Sequence, residues 1–204
     1  MTVLRRGFCL MGSRQYNEQL MKRRLIFYAL CLAITSCTGT PINAVPVTGF
    51  DSDRYLGTWY EIARLDHPFE RGLTDVSATY TKRADGTINV NNRGYNTAKD
   101  TFKEATGKAK FASDASVGQL KVSFFGPFYG DYIIFDLDKE NYRHAYISGG
   151  TDNNLWLLSR APEVTKTLRQ DFIAKSTALG YDTNSLIWVS QTQSNSSNQH
   201  HQTK

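Results

Sequence analysis

At 204 residues, with 40% hydrophobic and 12% aromatic side chains, the chain is long enough for one domain or at most two and can bury a sizeable core, which excludes wholesale disorder. Its formal charge of +5 points to a nucleic-acid partner only until the charge is located: of 24 Lys+Arg and 19 Asp+Glu, residues 1–36 hold six and one, leaving 18 and 18 in residues 37–204. A charge-balanced body has no electrostatic reason to follow a phosphate backbone, so no nucleic-acid partner is expected.

The basic front reads as an address. Lys22-Arg23-Arg24 precedes the apolar run from Leu25 to Ile34, and Thr35-Ser36-Cys37 follows. A basic start, ~10 apolar residues and small residues before a break form a secretory signal, shorter than the ~20 apolar residues a bilayer span needs. Residues 1–20 have no apolar core of their own, so Met21 is a candidate true start. Ile34-Thr35-Ser36-Cys37 resembles the bacterial lipobox. That resemblance implies acylation of Cys37 as the new N-terminus, and Thr38 in place of Asp implies sorting to the outer membrane of a Gram-negative cell, facing the periplasm. The alternative is an ordinary cysteine near an ordinary cleavage site. Several acyl chains anchor durably where one binds only marginally. Cys9 and Cys31 fall in the removed region, so the mature chain has no possible internal disulfide and is held by packing alone. Residues 37–50, with Pro41, Pro46 and Gly49, read as the lipidated N-terminus and a short tether.

Residues 51–190 carry the domain. Strand-like runs at 57–65, 74–82, 87–95, 101–111, 118–125, 131–137, 142–148 and 154–160 are separated by Asp85-Gly86, Asn92 to Gly94, Gly126-Pro127 and Gly149-Gly150. Eight consecutive strands with short links predict an all-β fold, an antiparallel up-and-down barrel whose closure removes exposed edges. Such a barrel has room for its own side chains or one small ligand. The period then changes: Pro162 suits a first helical turn, Val164, Leu168, Phe172 and Leu179 form a stripe, and Gly180 is a stop. One C-terminal helix over 162–179 is expected against the outside of the barrel, followed by a short final strand at 186–189. Residues 191–204, rich in Ser, Asn, Gln and His, read as a disordered polar tail.

Gly57-Thr58-Trp59 resembles the G-x-W motif of the lipocalin family, Asp138 and Tyr142 fall where the second motif lies, and Arg160 falls where the third places an arginine. Three motifs in order make the resemblance specific, and it covers residues 50–190. It implies an eight-stranded calyx and non-covalent carriage of lipid, with a fatty acid or lysophospholipid as ligand in the bacterial branch, and a homodimer as a possible state. Gly57, Trp59, Asp138, Tyr142 and Arg160 are read as structural, with Arg160 lying across the Trp59 indole in a cation–π contact of ~0.5–2 kcal/mol.

Alternation along strands assigns the interior. If Trp59 points inward, so do Glu61 and Ala63, while Tyr60 and Ile62 face the helix. The same parity groups Val76, Ala78 and Tyr80, then Leu120, Val122 and Phe124, then Trp156 and Leu158, as an apolar, aromatic cavity wall. On the sixth strand Ile133, Ile134 and Phe135 leave both faces apolar. An inward Glu61 is costly to desolvate unless paired. Three readings are open: a salt bridge to Arg64, Arg93 or Arg143, a ligand contact, or a bulge that turns Glu61 outward. Phe128 and Tyr129, beside the turn at Gly126-Pro127, are read either as a packed hairpin or as the rim of the calyx.

No G-x-S-x-G elbow, phosphate loop or metal-ligand spacing is present, and no catalytic residue, metal or cofactor is expected. His67 and His144 are read as ordinary surface or network residues. A lipid- or isoprenoid-converting enzyme acting inside the barrel, and a structural envelope lipoprotein that binds a protein partner, remain as alternatives.

Overall fold

The computed structural model describes residues 39–192; the signal region with its candidate start Met21, the lipidation residue Cys37, and residues 193–204 lie outside the described residues. Nine strands form one sheet: β1 (Gly57–Arg64), β2 (Leu73–Lys82), β3 (Ile88–Asn96), β4 (Thr101–Phe111), β5 (Gln119–Phe125), β6 (Phe128–Leu137), β7 (His144–Ser148), β8 (Leu155–Ser159) and β9 (Ile187–Trp188). Every pairing is antiparallel, and β1 pairs with both β2 and β8, which closes the first eight into the expected up-and-down barrel.

Up-and-down order sorts the connections into two ends. The turns β2–β3, β4–β5 and β6–β7 lie with Gly57, the start of β1. A short helix, α1 (Ser52–Tyr55), capped by the Asp51 carboxylate, lies beside them and closes this end. The connections 65–72, 97–100, 126–127 and 149–154 share the opposite end. Trp59 is fully buried at the closed end, and its indole N–H donates to the Tyr55 carbonyl at 2.8 Å.

The segment read as a tether is bound to the barrel wall from Thr40 onward. Thr40 accepts from the Asp152 amide, Ile42 donates to Gly150, Val47 donates to Ile134, and Phe50 donates to Ser116. It therefore runs from the β7–β8 turn at the open end to the closed end, burying Ala44 and Phe50.

The helix α2 (Lys166–Ala178) begins later than Pro162 suggests, because Thr165 is extended and its hydroxyl caps the Leu168 amide. Gly180, at φ +96°, ends it where a side chain would be strained. Phe172 is buried among Ile62, Tyr146, Leu155 and Leu157, with Leu168 and Leu179 packed at the margin. This cluster joins helix to wall, and a second cluster around Trp59 fills the closed end.

β1 and β2 pair only from Gly57 to Tyr60, and beyond that β9 takes the place beside β1. The Val189 amide donates to Ile62, and Asp75, at φ 49° in the β2 bulge, donates its amide to Ser190. Gln191 then joins both strands, its side-chain amide donating to the Glu61 carbonyl at 2.8 Å and the Val76 carbonyl at 2.9 Å. Gln191 is thus a buried part of the domain rather than the start of a disordered tail.

Candidate ligand-binding site

A cavity of about 520 Å³ occupies the upper barrel. This is within the ~300–1,000 Å³ range of ligand pockets. Val76, Ala78, Val90, Val122, Phe124, Ile147, Trp156 and Leu158 supply its apolar walls. Its floor is polar: Tyr132 bonds the hydroxyls of Tyr55 at 2.7 Å and Tyr80 at 2.9 Å. Burial pushes all three phenols upward, so they remain protonated as hydrogen-bonding groups. Below them the Tyr55 ring packs on Trp59 at 4.7 Å.

Against one wall stands a charged cluster. The Glu61 carboxylate accepts from Arg64 Nη1 at 2.6 Å, both side chains being almost fully buried. Arg64 Nη2 also donates to the Glu70 and Leu73 carbonyls. Glu70 Oε2 is 2.7 Å from His67 Nε2 and accepts from the Trp156 indole at 3.2 Å. Burial, with the nearby Glu70 charge, pushes the Glu61 carboxyl well above the usual carboxylate range, and Arg64 offsets this only in part. Burial acts on Glu70 in the same direction, but the hydrogen bond and charge of His67 and a hydrogen bond from Glu61 hold it below that range. The two carboxyls are thus driven apart, Glu61 toward the protonated form and Glu70 toward the charged one.

The fold and this walled cavity can be set beside known proteins. A family profile described as "Lipocalin-like domain" matches residues 50–191. The chain belongs to the lipocalin family. Among relatives of this lipocalin, "Outer membrane lipoprotein Blc" of Vibrio cholerae is 52% identical over 169 residues, covering 82% of this chain and 99% of the relative. The protein of the same name from Escherichia coli K12 is 48% identical over 164 residues, covering 80% and 92%. In solved structures, insecticyanin from the tobacco hornworm Manduca sexta superposes with a TM-score of 0.61 at 20% identity, over 76% of this chain and 88% of its own. The cockroach allergen Per a 4 gives 0.60 at 19% identity, over 78% and 99%. These two likenesses bear on the fold alone.

Membership makes the lipocalin a protein that binds a small hydrophobic ligand, and the site can be compared residue by residue with expectation. Glu61, Val76, Ala78, Tyr80, Val122, Phe124, Trp156 and Leu158 line the cavity. Ala63 and Leu120 do not, the first because alternation breaks down there and the second because of its height in the barrel. Between Glu61 and Ala63 the pairing with β8 shifts by one residue, Glu61 lying opposite Leu158 and Ala63 opposite Leu157. The extra residue, Ile62, reverses parity beyond it. Ala63 joins Ile62 in the helix-side cluster, and Arg64 turns inward to meet Glu61. The bulge therefore creates the ion pair instead of expelling Glu61. Leu120 faces the interior as expected but is buried in the cluster around Trp59, below the cavity.

The motif residues occupy the closed end of the lipocalin barrel. The Arg160 guanidinium lies 3.9 Å from the centre of the Trp59 ring and donates to the carbonyls of Thr58, Arg54, Tyr55 and Leu56. Asp138 pairs with Arg143 at 2.8 Å. Tyr142, at φ 53°, accepts from the Asp51 amide through its hydroxyl. Arg93 pairs with Glu104, which leaves Arg64, of the three arginines considered, as the partner of Glu61.

Sequence reasoning missed Glu70, Tyr132 and the part played by His67. Glu70 sits in the β1–β2 loop, where no periodicity shows that the chain folds back over the cavity, and Tyr132 falls on a strand with two apolar faces. The Trp156 indole, which needs an acceptor when half-buried, was the one available signal for Glu70.

Proposed function

We propose that this lipocalin holds the hydrocarbon chain of a fatty acid or lysophospholipid in its barrel, at the outer membrane, without chemical change to the lipid, and that Cys37 carries the anchoring acyl groups. One observation carries the reading: a cavity of about 520 Å³ with predominantly apolar walls, open at one end. Burying ~15 methylenes at ~0.8 kcal/mol each has an upper limit near 12 kcal/mol. Lost translation, rotation and chain flexibility subtract at least ~4 kcal/mol, which leaves at most the ~8 kcal/mol of a micromolar complex. The names of the Vibrio and Escherichia relatives support location at the outer membrane.

Lipid extracted from the purified protein and weighed by mass spectrometry tests the reading: intact fatty acid or lysophospholipid is expected, and converted lipid would favour an enzyme. Ala78→Trp, which places a bulky ring inside the cavity, should weaken binding of a fluorescent fatty acid at least tenfold. Unchanged affinity would place the ligand elsewhere.

A further inference from the structure

We propose that the foot of the cavity selects an acyl chain bearing a hydroxyl group near its buried end, which Tyr80, Tyr132 and Asn92 hold by hydrogen bonds. This rests on the lipid-binding reading above and adds the chemical class of chain that the barrel prefers.

Three phenols meet at the floor, and they carry three hydroxyl protons. The Tyr132 oxygen lies 2.7 Å from that of Tyr55 and 2.9 Å from that of Tyr80. Each contact uses one proton, so whichever way the two bonds run, one O–H of the three donates to nothing among the described residues. Desolvation decides where that proton sits. Tyr80 and Tyr132 line the cavity, whereas Tyr55 is buried and does not. A spare proton on Tyr55 would strand a buried donor, and a row in which Tyr55 donates to Tyr132 moves it to Tyr80 or Tyr132, where it faces the cavity.

A second polar group stands unpaired on the same wall. Asn92 lines the cavity on β3, one inward position from Val90, which pairs with Tyr80. Its neighbours across the sheet are Ala78 on one side and Ala105 on the other, neither of which has a side-chain donor. Asn92 Oδ1 is buried with no hydrogen-bond partner among the described residues. Polar atoms left unpaired in this way cost the free protein stability, and a ligand that pairs them restores it.

The two groups have opposite needs. The phenol lacks an acceptor and the carboxamide oxygen lacks a donor. A hydroxyl supplies both, while a carbonyl or ether oxygen supplies only the first. Charge disfavours a carboxylate: burial above all, and then the acidic Glu70 and Glu61 nearby, push the Tyr80 phenol upward, and the same neighbours oppose an anion beside it. Val76, Val122, Phe124 and Leu158 keep the rest of the wall apolar. The chain that fits is therefore hydrocarbon along most of its length and hydroxylated toward the end that enters first.

The test sets ω-hydroxyhexadecanoic acid against heptadecanoic acid, which has a methyl group in place of the hydroxyl, each displacing a fluorescent fatty acid from the full-length protein. A cavity without polar partners would bind the hydroxy acid about tenfold more weakly or worse, because its hydroxyl would leave water and gain nothing. Here the hydroxy acid should bind at least as tightly as heptadecanoic acid. In Tyr80→Phe/Tyr132→Phe, which removes both cavity hydroxyls, the ratio of the two affinities should shift against the hydroxy acid by about tenfold or more. Asn92→Leu should shift it the same way by roughly threefold or more, and it alters a separate strand, which keeps the measurement open if the double variant does not fold. A hydroxy acid bound about tenfold more weakly than heptadecanoic acid by the wild type overturns the proposal. So does an unchanged ratio in either folded variant, the sign of a hydroxyl left outside the site. Heptadecanoic acid that binds in these cases leaves the lipid-binding reading standing, whereas failure of both acids to bind sinks that reading.

Discussion

Arg160→Ala should cost stability far more than ligand affinity. The guanidinium lies 3.9 Å from the Trp59 ring centre and donates to four carbonyls within 3.2 Å, three of them at the end of α1, while the cavity lies higher in the barrel. The cation–π contact contributes ~0.5–2 kcal/mol. Hydrogen bonds to a charged donor contribute ~1.5–3 kcal/mol each, but Arg160 is only half-buried and water re-satisfies most of the freed carbonyls, so one such bond is counted net. The loss is then ~2–5 kcal/mol. At ~2–4 °C per kcal/mol for a domain of this size, the melting midpoint should fall by roughly 4–20 °C. Thermal unfolding followed by circular dichroism, with fatty-acid titration at a temperature where both proteins are folded, measures the two effects. An unmoved midpoint with lost binding would refute the assignment of Arg160 to the closure of the barrel.

Three further outcomes are expected. The raised carboxyl of Glu61 means that the folded state holds its proton more tightly; this contribution to stability is complete below the unfolded Glu value of ~4.3 and is lost as pH rises through the folded value. Urea unfolding of Glu61→Gln should therefore lose less stability than wild type from about pH 4.3 upward, and parallel pH curves would contradict the upward shift of the buried carboxyl. Gln191→Ala leaves the Glu61 and Val76 carbonyls unpaired at the β1–β2 seam and should cost ~1–3 kcal/mol by chemical denaturation, a cost that a residue in a loose tail would not show. Gly107→Ala would place a methyl group 2.8 Å from the Ser123 carbonyl oxygen and the Phe124 ring. It should destabilise by ~1–3 kcal/mol, and an unchanged urea midpoint would show that β4 and β5 part more easily than their packing implies.

Alternation and turn chemistry reveal the eight strands and most of the cavity wall because both are local: Val76, Ala78 and Tyr80 share a face wherever β2 is pleated regularly. They fail where geometry is set by a partner. The bulge at Ile62 exists because β1 must serve β8 on one side and exchange β2 for β9 on the other, and no feature of Glu61-Ile62-Ala63-Arg64 announces it. Parity assigns a side but no height, so Leu120 and Val122 read alike although only Val122 reaches the cavity. The Glu70 contribution depends on a loop folding back across the mouth, a long-range event that leaves no periodic trace.

The seam between β1 and β2 also fixes an order of assembly. The stretch that shuts it, Ile187 to Gln191, follows all eight of the strands it completes. The eight strands without it form a cup with one side unlatched. Until Ile187 to Gln191 dock, the upper halves of β1 and β2 lack a common neighbour, so the latch of the cup depends on residues more than a hundred positions from the strands it fastens.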